Sequence, residues 1–138
     1  MNQTTSDNVY SYRYPVSIKG VVIVDDQVPL LKNDRDEWEL PGGKLDLDEQ
    51  PEECVVREIK EELNIDVSNP KIIDSWLYHI NSETHVVIVT YGCTIQKSAD
   101  WKISAEHKQF MLCNLSEIED MHMPDGYKKS IVSWARML

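Results

Sequence analysis

The chain carries several short apolar runs, most of them rich in β-branched residues, interrupted once by a segment of helical period. The spacing of hydrophobic positions predicts strands over residues 18–24, 28–32, 38–40, 71–80, 85–95 and 108–112. Asp25-Asp26-Gln27 is a turn between the first two strands, which predicts a hairpin. Three tyrosines at alternate positions in residues 10–14 predict an edge strand at the end of an irregular lead-in, residues 1–14.

The helical segment covers residues 51–63. Val55, Ile59 and Leu63 recur every fourth residue and mark a buried stripe. Pro51 suits the first helical position because its missing N–H is not needed there. Asn64 readily adopts the left-handed conformation that ends a helix.

The last part of the chain predicts two more helices. Ser116 can cap a short helix that ends at residue 120, and Asp125 can cap a final amphipathic helix. In that final helix Ile131, Trp134 and either Met137 or Leu138 face inward. The order of elements predicts one α/β domain over residues 1–138, with a mixed sheet between helices.

Composition narrows the class of protein. A chain of 138 residues with 41% hydrophobic and 28% charged residues is typical of a globular domain. No apolar run reaches the roughly 20 residues of a membrane span, and the polar first residues lack a signal pattern, so we expect a cytoplasmic protein. The three cysteines, Cys54, Cys93 and Cys113, include no CxxC pair and are interpreted as buried thiols.

Net charge bears on partners. The formal charge of −10 argues against nucleic acid and anionic membranes, because phosphate backbones require excess Lys and Arg. Residues 43–65 hold eight acidic and three basic residues, which is half of the net charge. A solvated acidic helix is the usual explanation of such a cluster. The spacing of the acids has to decide between this explanation and a functional site.

The spacing favours a cation site. Glu58, Glu61 and Glu62 lie at i, i+3 and i+4, which places their side chains on one helix face, away from the buried stripe. Like charges at this spacing repel, and a hard cation such as Mg²⁺ offsets that repulsion. Arg57 is four residues from both Glu53 and Glu61 and can pair with either. An ordinary surface ion pair is an equal alternative.

Pro41-Gly42-Gly43 precedes the acidic helix. Paired glycines allow the backbone to approach a ligand closely, although such a turn is common. Taken together, residues 43–65 resemble the 23-residue box of the Nudix family. Every fixed position of the box matches except its last glycine, which is Asn64 here. Residues 38–42, WELPG, look like the strand that enters the box.

The resemblance implies an α/β/α sandwich and a magnesium-dependent hydrolase of phosphoanhydride bonds, with Mn²⁺ as a possible substitute. It implies a metal site formed by Glu58, Glu61, Glu62 and the carbonyl of Gly42. Arg57 would orient these glutamates, and Glu49 would pair with Arg57.

The general base stays open between Glu58 and Glu106. Glu106 is favoured as base or additional ligand, with a solvated loop acid as the alternative. His107, beside it, is interpreted as a structural or rim residue. Arg35 and Lys44 flank the expected site and are candidates for substrate phosphate, with loop solubility as the alternative. Trp38, Trp76 and Trp101 could stack a base, and packing is the alternative for Trp38.

The substrate is expected to be a small-molecule nucleotide, and the protein a monomer or homodimer. A compact, MutT-like nucleoside triphosphate pyrophosphohydrolase is the first hypothesis. The second is an ADP-ribose or nucleotide-sugar pyrophosphatase, although residues 80–82 lack the proline that marks ADP-ribose hydrolases. A third is a nucleotide-binding regulatory domain without catalysis. Retention of all three glutamates argues against it.

Overall fold

The computed structural model of the protein describes residues 12–95 and 109–138. Within these residues the strands are β1 (Val16–Val22), β2 (Gln27–Lys32), β3 (Trp38–Glu39), β4 (Gly42–Gly43), β5 (Val67–His79), β6 (His85–Ile95) and β7 (Phe110–Asn114). The helices are α1 (Pro51–Leu63), a 3-10 helix (Leu115–Asp120) and α2 (Asp125–Met137).

The strands form two sheets. The first has the order β4-β1-β6-β5 and is mixed, since β1 runs parallel to β6 and antiparallel to β4. The second has the order β3-β2-β7 and is antiparallel. Together with α1 and α2 they form the expected α/β sandwich, except that the sheet layer is divided in two.

This division corrects the predicted hairpin of the first two strands. Asp25 and Asp26 do form a tight turn, with φ values of 52° and 60°, and Val24 and Gln27 exchange two hydrogen bonds of 2.9 Å. Beyond the turn, however, β1 and β2 enter different sheets. The reason is that residues 18–22 are buried on both faces, so β1 needs cover on each side and pairs in the middle of the first sheet.

Other strand predictions shift at their ends. Tyr12 and Tyr14 lie outside any strand and are exposed, while Tyr10 lies outside the described residues. β5 begins at Val67, four residues earlier than predicted, and so includes Pro70. A register shift between Ser68 and Lys71 accommodates this proline, which cannot donate a hydrogen bond to the ladder.

Helix α1 begins and ends where the sequence predicts. Gln50 and Glu53 form a capping box at its start, and Pro51 occupies the first turn. Val55, Ile59 and Leu63 have no exposed surface and pack with Ile18 of β1. This contact fixes the position of the opposite, acidic face of the helix.

Helix α2 covers the other side of the first sheet. Ile131 and Trp134 are buried as predicted, and Ser130 bonds Thr90 of β6 through their hydroxyl oxygens, 2.8 Å apart. Met137 and Leu138 are 57% and 71% exposed, so the prediction that one of them faces inward is wrong. Trp134 is the last buried residue of α2, and residues 136–138 are exposed. The short helix of residues 115–120 is a 3-10 helix that starts one residue before Ser116.

Two further expectations concern the described residues. Cys54, Cys93 and Cys113 are buried free thiols, as predicted, and burial raises the pKa of each. Among residues 12–95 and 109–138, none of the helices has the length and apolar character needed to cross a bilayer.

Asn64 ends α1 in the left-handed conformation, with φ 59° and ψ 37°. A β-carbon without a side-chain amide is unfavourable there, by about 1–2 kcal/mol. We therefore expect Asn64→Ala to lower the free energy of unfolding by about 1 kcal/mol. Asn64→Gly, the matched control, should equal or exceed the wild type. Urea unfolding measures both, and equal loss in the two variants would contradict this explanation of the helix end.

Candidate active site

Arg57 is the centre of the acidic face of α1. Its guanidinium donates two hydrogen bonds to Glu49, 2.6 Å from Nε to Oε2 and 2.9 Å from Nη2 to Oε1. Its Nη1 donates to Glu58 and Glu61, at 3.0 Å each. Nη2 also donates to the carbonyl of Lys44 at 3.1 Å. One fork of donors therefore ties the loop before the helix to two of the three glutamates.

These contacts decide between the two partners that the spacing allowed. Arg57 pairs with Glu61, whereas Glu53 caps the helix by accepting a hydrogen bond from the Gln50 N–H at 2.9 Å. The pair of Arg57 with Glu49 is confirmed. The hydrogen bonds from Arg57 lower the pKa of Glu49 to about 2, so this carboxylate stays charged in the folded protein.

Glu62 is the most buried of the three glutamates, with 6% of its surface exposed. Its Oε1 accepts a hydrogen bond of 2.7 Å from the N–H of Gly42. Burial raises the pKa of Glu62 to about 7, against this hydrogen bond and the charge of Lys19, which both lower it. The side chain is thus fixed directly against the paired glycines.

Glu58 lies against the second glycine. A β-carbon on Gly43 would overlap the Glu58 carboxylate, so the absence of a side chain is what admits Glu58 to this position. Burial raises the pKa of Glu58, and the hydrogen bond from Arg57 opposes it. Gly42 has a φ of 150°, and a β-carbon there would overlap the backbone of Ile18.

The types of ligand atom at this site suit a hard divalent cation. Two partly desolvated carboxylates, Glu58 and Glu62, adjoin a glycine backbone, and oxygen ligands of this type suit Mg²⁺. Glu61 is more peripheral, with its side chain 58% exposed and bonded to Arg57. Among the described residues, His, Cys, Asp and Glu side chains form no group of three or more close enough to hold a metal ion. The four-member ligand set of Gly42, Glu58, Glu61 and Glu62 stays a prediction.

Comparison with known proteins agrees with this geometry. Residues 14–134 match the family model of the NUDIX domain. The chain belongs to the Nudix family. It is 33% identical over 72 residues to an 8-oxo-dGTP diphosphatase of Proteus vulgaris, covering 52% of this chain and 59% of that protein. It is 35% identical over 82 residues to a MutT-like protein of Streptomyces ambofaciens, covering 58% of this chain and 51% of that protein.

The fold agrees as well. The structure resembles the crystal structure of the MutT protein from Methanosarcina mazei Go1 with a TM-score of 0.74 and 26% identity, over 93% of this chain and 97% of that chain. The matches to the curated Nudix relatives span about half the length of those proteins, 59% and 51%.

The two substrate-binding candidates, Arg35 and Lys44, lie on different loops. Arg35 is on the loop between β2 and β3, where Nε contacts Glu37 at 3.4 Å and the guanidinium lies 5.8 Å from the centre of the Tyr78 ring. The Tyr78 hydroxyl donates to the same Glu37 carboxylate at 2.7 Å. Lys44 is exposed, and its backbone carbonyl rather than its ammonium contacts Arg57.

The tryptophans considered as base-stacking candidates also lie in different surroundings. Trp76 packs edge-to-face on Tyr127 of α2 with ring centres 5.2 Å apart, which makes it part of the packing around this helix. Trp38 is half-buried, and the Lys32 ammonium lies 5.3 Å from the centre of its ring. Trp101, Glu106 and His107 lie outside the described residues, so the choice of general base stays a prediction.

One charged pair beside the Nudix box is not predicted from the sequence. Lys19 of β1 is 7% exposed, and its Nζ lies 3.7 Å from Oε2 of Glu39 in β3. The pair therefore joins the two sheets. The available signal was a lysine inside the otherwise apolar run SIKGVV, at a position where strand alternation predicts burial.

The raised pKa of Glu62 generates a prediction about stability. Because the folded-state pKa exceeds that of an unfolded glutamate, the folded protein binds this proton more tightly, and stability falls as pH rises through the window from about 5 to 8. Glu62→Gln removes this loss. In EDTA we expect the variant to gain on the order of 2 kcal/mol relative to wild type between pH 5 and pH 8.

Urea unfolding at the two pH values measures the gain. Glu52→Gln is the matched control, because Glu52 is exposed in the first turn of the same helix. A difference between Glu62→Gln and wild type that is the same at both pH values would contradict the raised pKa.

Proposed function

We propose that this protein is a Mg²⁺-dependent pyrophosphohydrolase of the MutT type, which hydrolyses a nucleoside triphosphate to the monophosphate and pyrophosphate. The observation that carries the proposal is the placement of Glu58 and Glu62 against Gly42 and Gly43, held by Arg57. The names of the 8-oxo-dGTP diphosphatase and MutT-like relatives support the same class of reaction.

The charge of the site explains why a cation is required. A polyphosphate is strongly anionic, and the acidic face of α1 alone would repel it. Nudix hydrolases generally use divalent metal ions, and here Glu58, Glu62 and the Gly42 carbonyl are the proposed ligands, with Glu61 beside them. A divalent cation held by these residues, Mg²⁺ or Mn²⁺, would supply positive charge that offsets both the field of the glutamates and the negative charge of the substrate.

The protein residues have separable roles in this proposal. Arg57 keeps Glu58 and Glu61 in position and offsets the repulsion between them. Glu49 fixes Arg57 through the two hydrogen bonds of its carboxylate. A general base accepts the proton of the attacking water, and Glu106 or Glu58 takes this role. Arg35 and Lys44 are proposed to contact substrate phosphates.

A second candidate function differs in substrate and keeps the same cleaved bond type. An ADP-ribose or nucleotide-sugar pyrophosphatase would use the same glutamates and would differ in the loops around the site. Assay of a panel of nucleoside triphosphates, oxidised dNTPs, ADP-ribose, nucleotide sugars and dinucleoside polyphosphates separates the candidates by kcat/KM. Absence of turnover throughout the panel would favour a nucleotide-binding regulatory domain.

For the preferred substrate of that panel, we expect Glu62→Gln to lower kcat at least about 10²-fold, because a metal ligand contributes several kcal/mol to transition-state stabilisation. Removal of Mg²⁺ with EDTA should abolish turnover, and Mn²⁺ should restore part of it. Glu52→Gln should retain wild-type kcat. Full activity in Glu62→Gln would overturn the assignment of this residue as a ligand.

We expect Arg57→Lys to lower kcat/KM by about 10- to 100-fold, the range typical of residues that orient metal ligands. Lysine keeps the charge but not the fork that bonds Glu49 and Glu58 together. The measurement is kcat/KM as a function of Mg²⁺ concentration. A variant that differs from wild type only in thermal stability would indicate that Arg57 serves the fold alone.

A further inference from the structure

Lys19 has a mostly buried side chain, and its ammonium makes few contacts with the described protein. Its side chain is 9% exposed, and its ion-pair partner among the described residues is Glu39, 3.7 Å away. That distance is too long for a good hydrogen bond, and Nζ donates none within 3.5 Å to the rest of the described chain. The stem of Lys19 is therefore mostly buried, while the N–H donors of its ammonium are not taken up by the described protein and remain available to a ligand.

The register of the first sheet places Lys19 beside the glutamates. Lys19 lies directly opposite Gly42 in the β1–β4 ladder, and the N–H of Gly42 is the donor to Glu62. β4 is the edge strand, and its two residues are glycines, so β4 itself places no side chain beside Lys19. The charge of Lys19 is also among the causes that lower the pKa of Glu58 and of Glu62.

The face of the sheet on which Lys19 lies is also informative. Ile18 packs with α1, so the next residue faces away from α1, towards the side of α2 and the second sheet. Glu39 reaches Lys19 from that second sheet and also accepts a hydrogen bond of 3.1 Å from Asn33 Nδ2. The ammonium therefore lies where the two sheets meet, near enough to Glu58 and Glu62 for its charge to act on both.

We propose that Lys19 is a phosphate-binding residue, which donates to an oxygen of the diphosphate group held at Glu58 and Glu62. Its unused N–H donors and fixed positive charge match a polyphosphate, for which lysine acts as a point charge. The inference rests on the proposed function for the identity of the ligand. It adds a subsite outside the Nudix box and assigns no role to a nucleobase.

The test compares Lys19→Gln with the double variant Lys19→Gln/Glu39→Gln. The single variant leaves Glu39 half-buried without its cation and should unfold at lower urea concentration, whereas the double variant leaves two neutral side chains and should recover stability. Lys60→Gln is the matched control, because it also removes one positive charge, at an exposed position on α1. Unfolding in urea therefore reports the structural role of Lys19 separately from its role in binding a ligand.

Binding of inorganic pyrophosphate with Mg²⁺, measured by titration calorimetry, reports the ligand role. We expect both Lys19 variants to bind about 10- to 100-fold more weakly than wild type, as for loss of one charged hydrogen bond, and Lys60→Gln to bind normally. The loss in kcat/KM should be similar for all nucleotides of the panel, whatever their base.

If the double variant binds pyrophosphate with the affinity of the wild type, the proposal is overturned and Lys19 is only the counter-ion of Glu39. Unchanged pyrophosphate binding combined with base-dependent losses in kcat/KM would overturn it in favour of base recognition. A wild-type protein that hydrolyses nothing, yet binds pyrophosphate through Lys19, would refute the proposed catalysis and support this subsite.

Discussion

The site depends on one guanidinium that holds several carboxylates at once. Glu49, Glu58 and Glu61 all bond to Arg57, and Asp46 lies 3.4 Å from its Nε. Without that charge the acidic face of α1 would repel itself, and the loop before the helix would lose its tie to it. The planar fork of arginine fixes direction as well as charge, so the glutamates have defined orientations relative to the two glycines. Lysine could supply the charge alone.

The opposite face of α1 supplies the rigidity that this arrangement requires. Val55, Ile59 and Leu63 are fully buried against the first sheet, and the capping box and Asn64 set the two ends of the helix. The edge strand β4 is then the surface onto which Glu58 and Glu62 project. Glycine is needed at both positions of β4, for backbone contact at Gly42 and for space beside a carboxylate at Gly43. The two-residue strand β4 therefore serves both the packing of the sheet and the placement of the glutamates.

Local signals in the sequence predict the parts of the fold that are locally determined. The bounds of α1, the turn at Asp25 and Asp26 and the buried stripe follow from caps, left-handed residues and periodicity, and all agree with the structure. Local signals do not predict that β1 and β2 belong to separate sheets, because strand pairing depends on partners far along the chain. The fixed spacing of the Nudix box predicted the pair of Arg57 with Glu49. Lys19 and Glu39 were missed because their proximity arises only when the two sheets meet.

The separation of β1 from β2 has a consequence for how such a protein can change. The two strands are joined by the short turn between Val24 and Gln27, and then diverge into different sheets. The glutamates belong to the side of β1 and β4, whereas Arg35, Glu37 and Glu39 follow from β2. Substitutions in β2 and its loop can therefore change the surroundings of Arg35, Glu37 and Glu39 without altering the β1–β4 ladder, against which Glu58 and Glu62 lie. On the proposed function, the side of the site that carries Arg35 can therefore vary while the proposed metal ligands keep their positions.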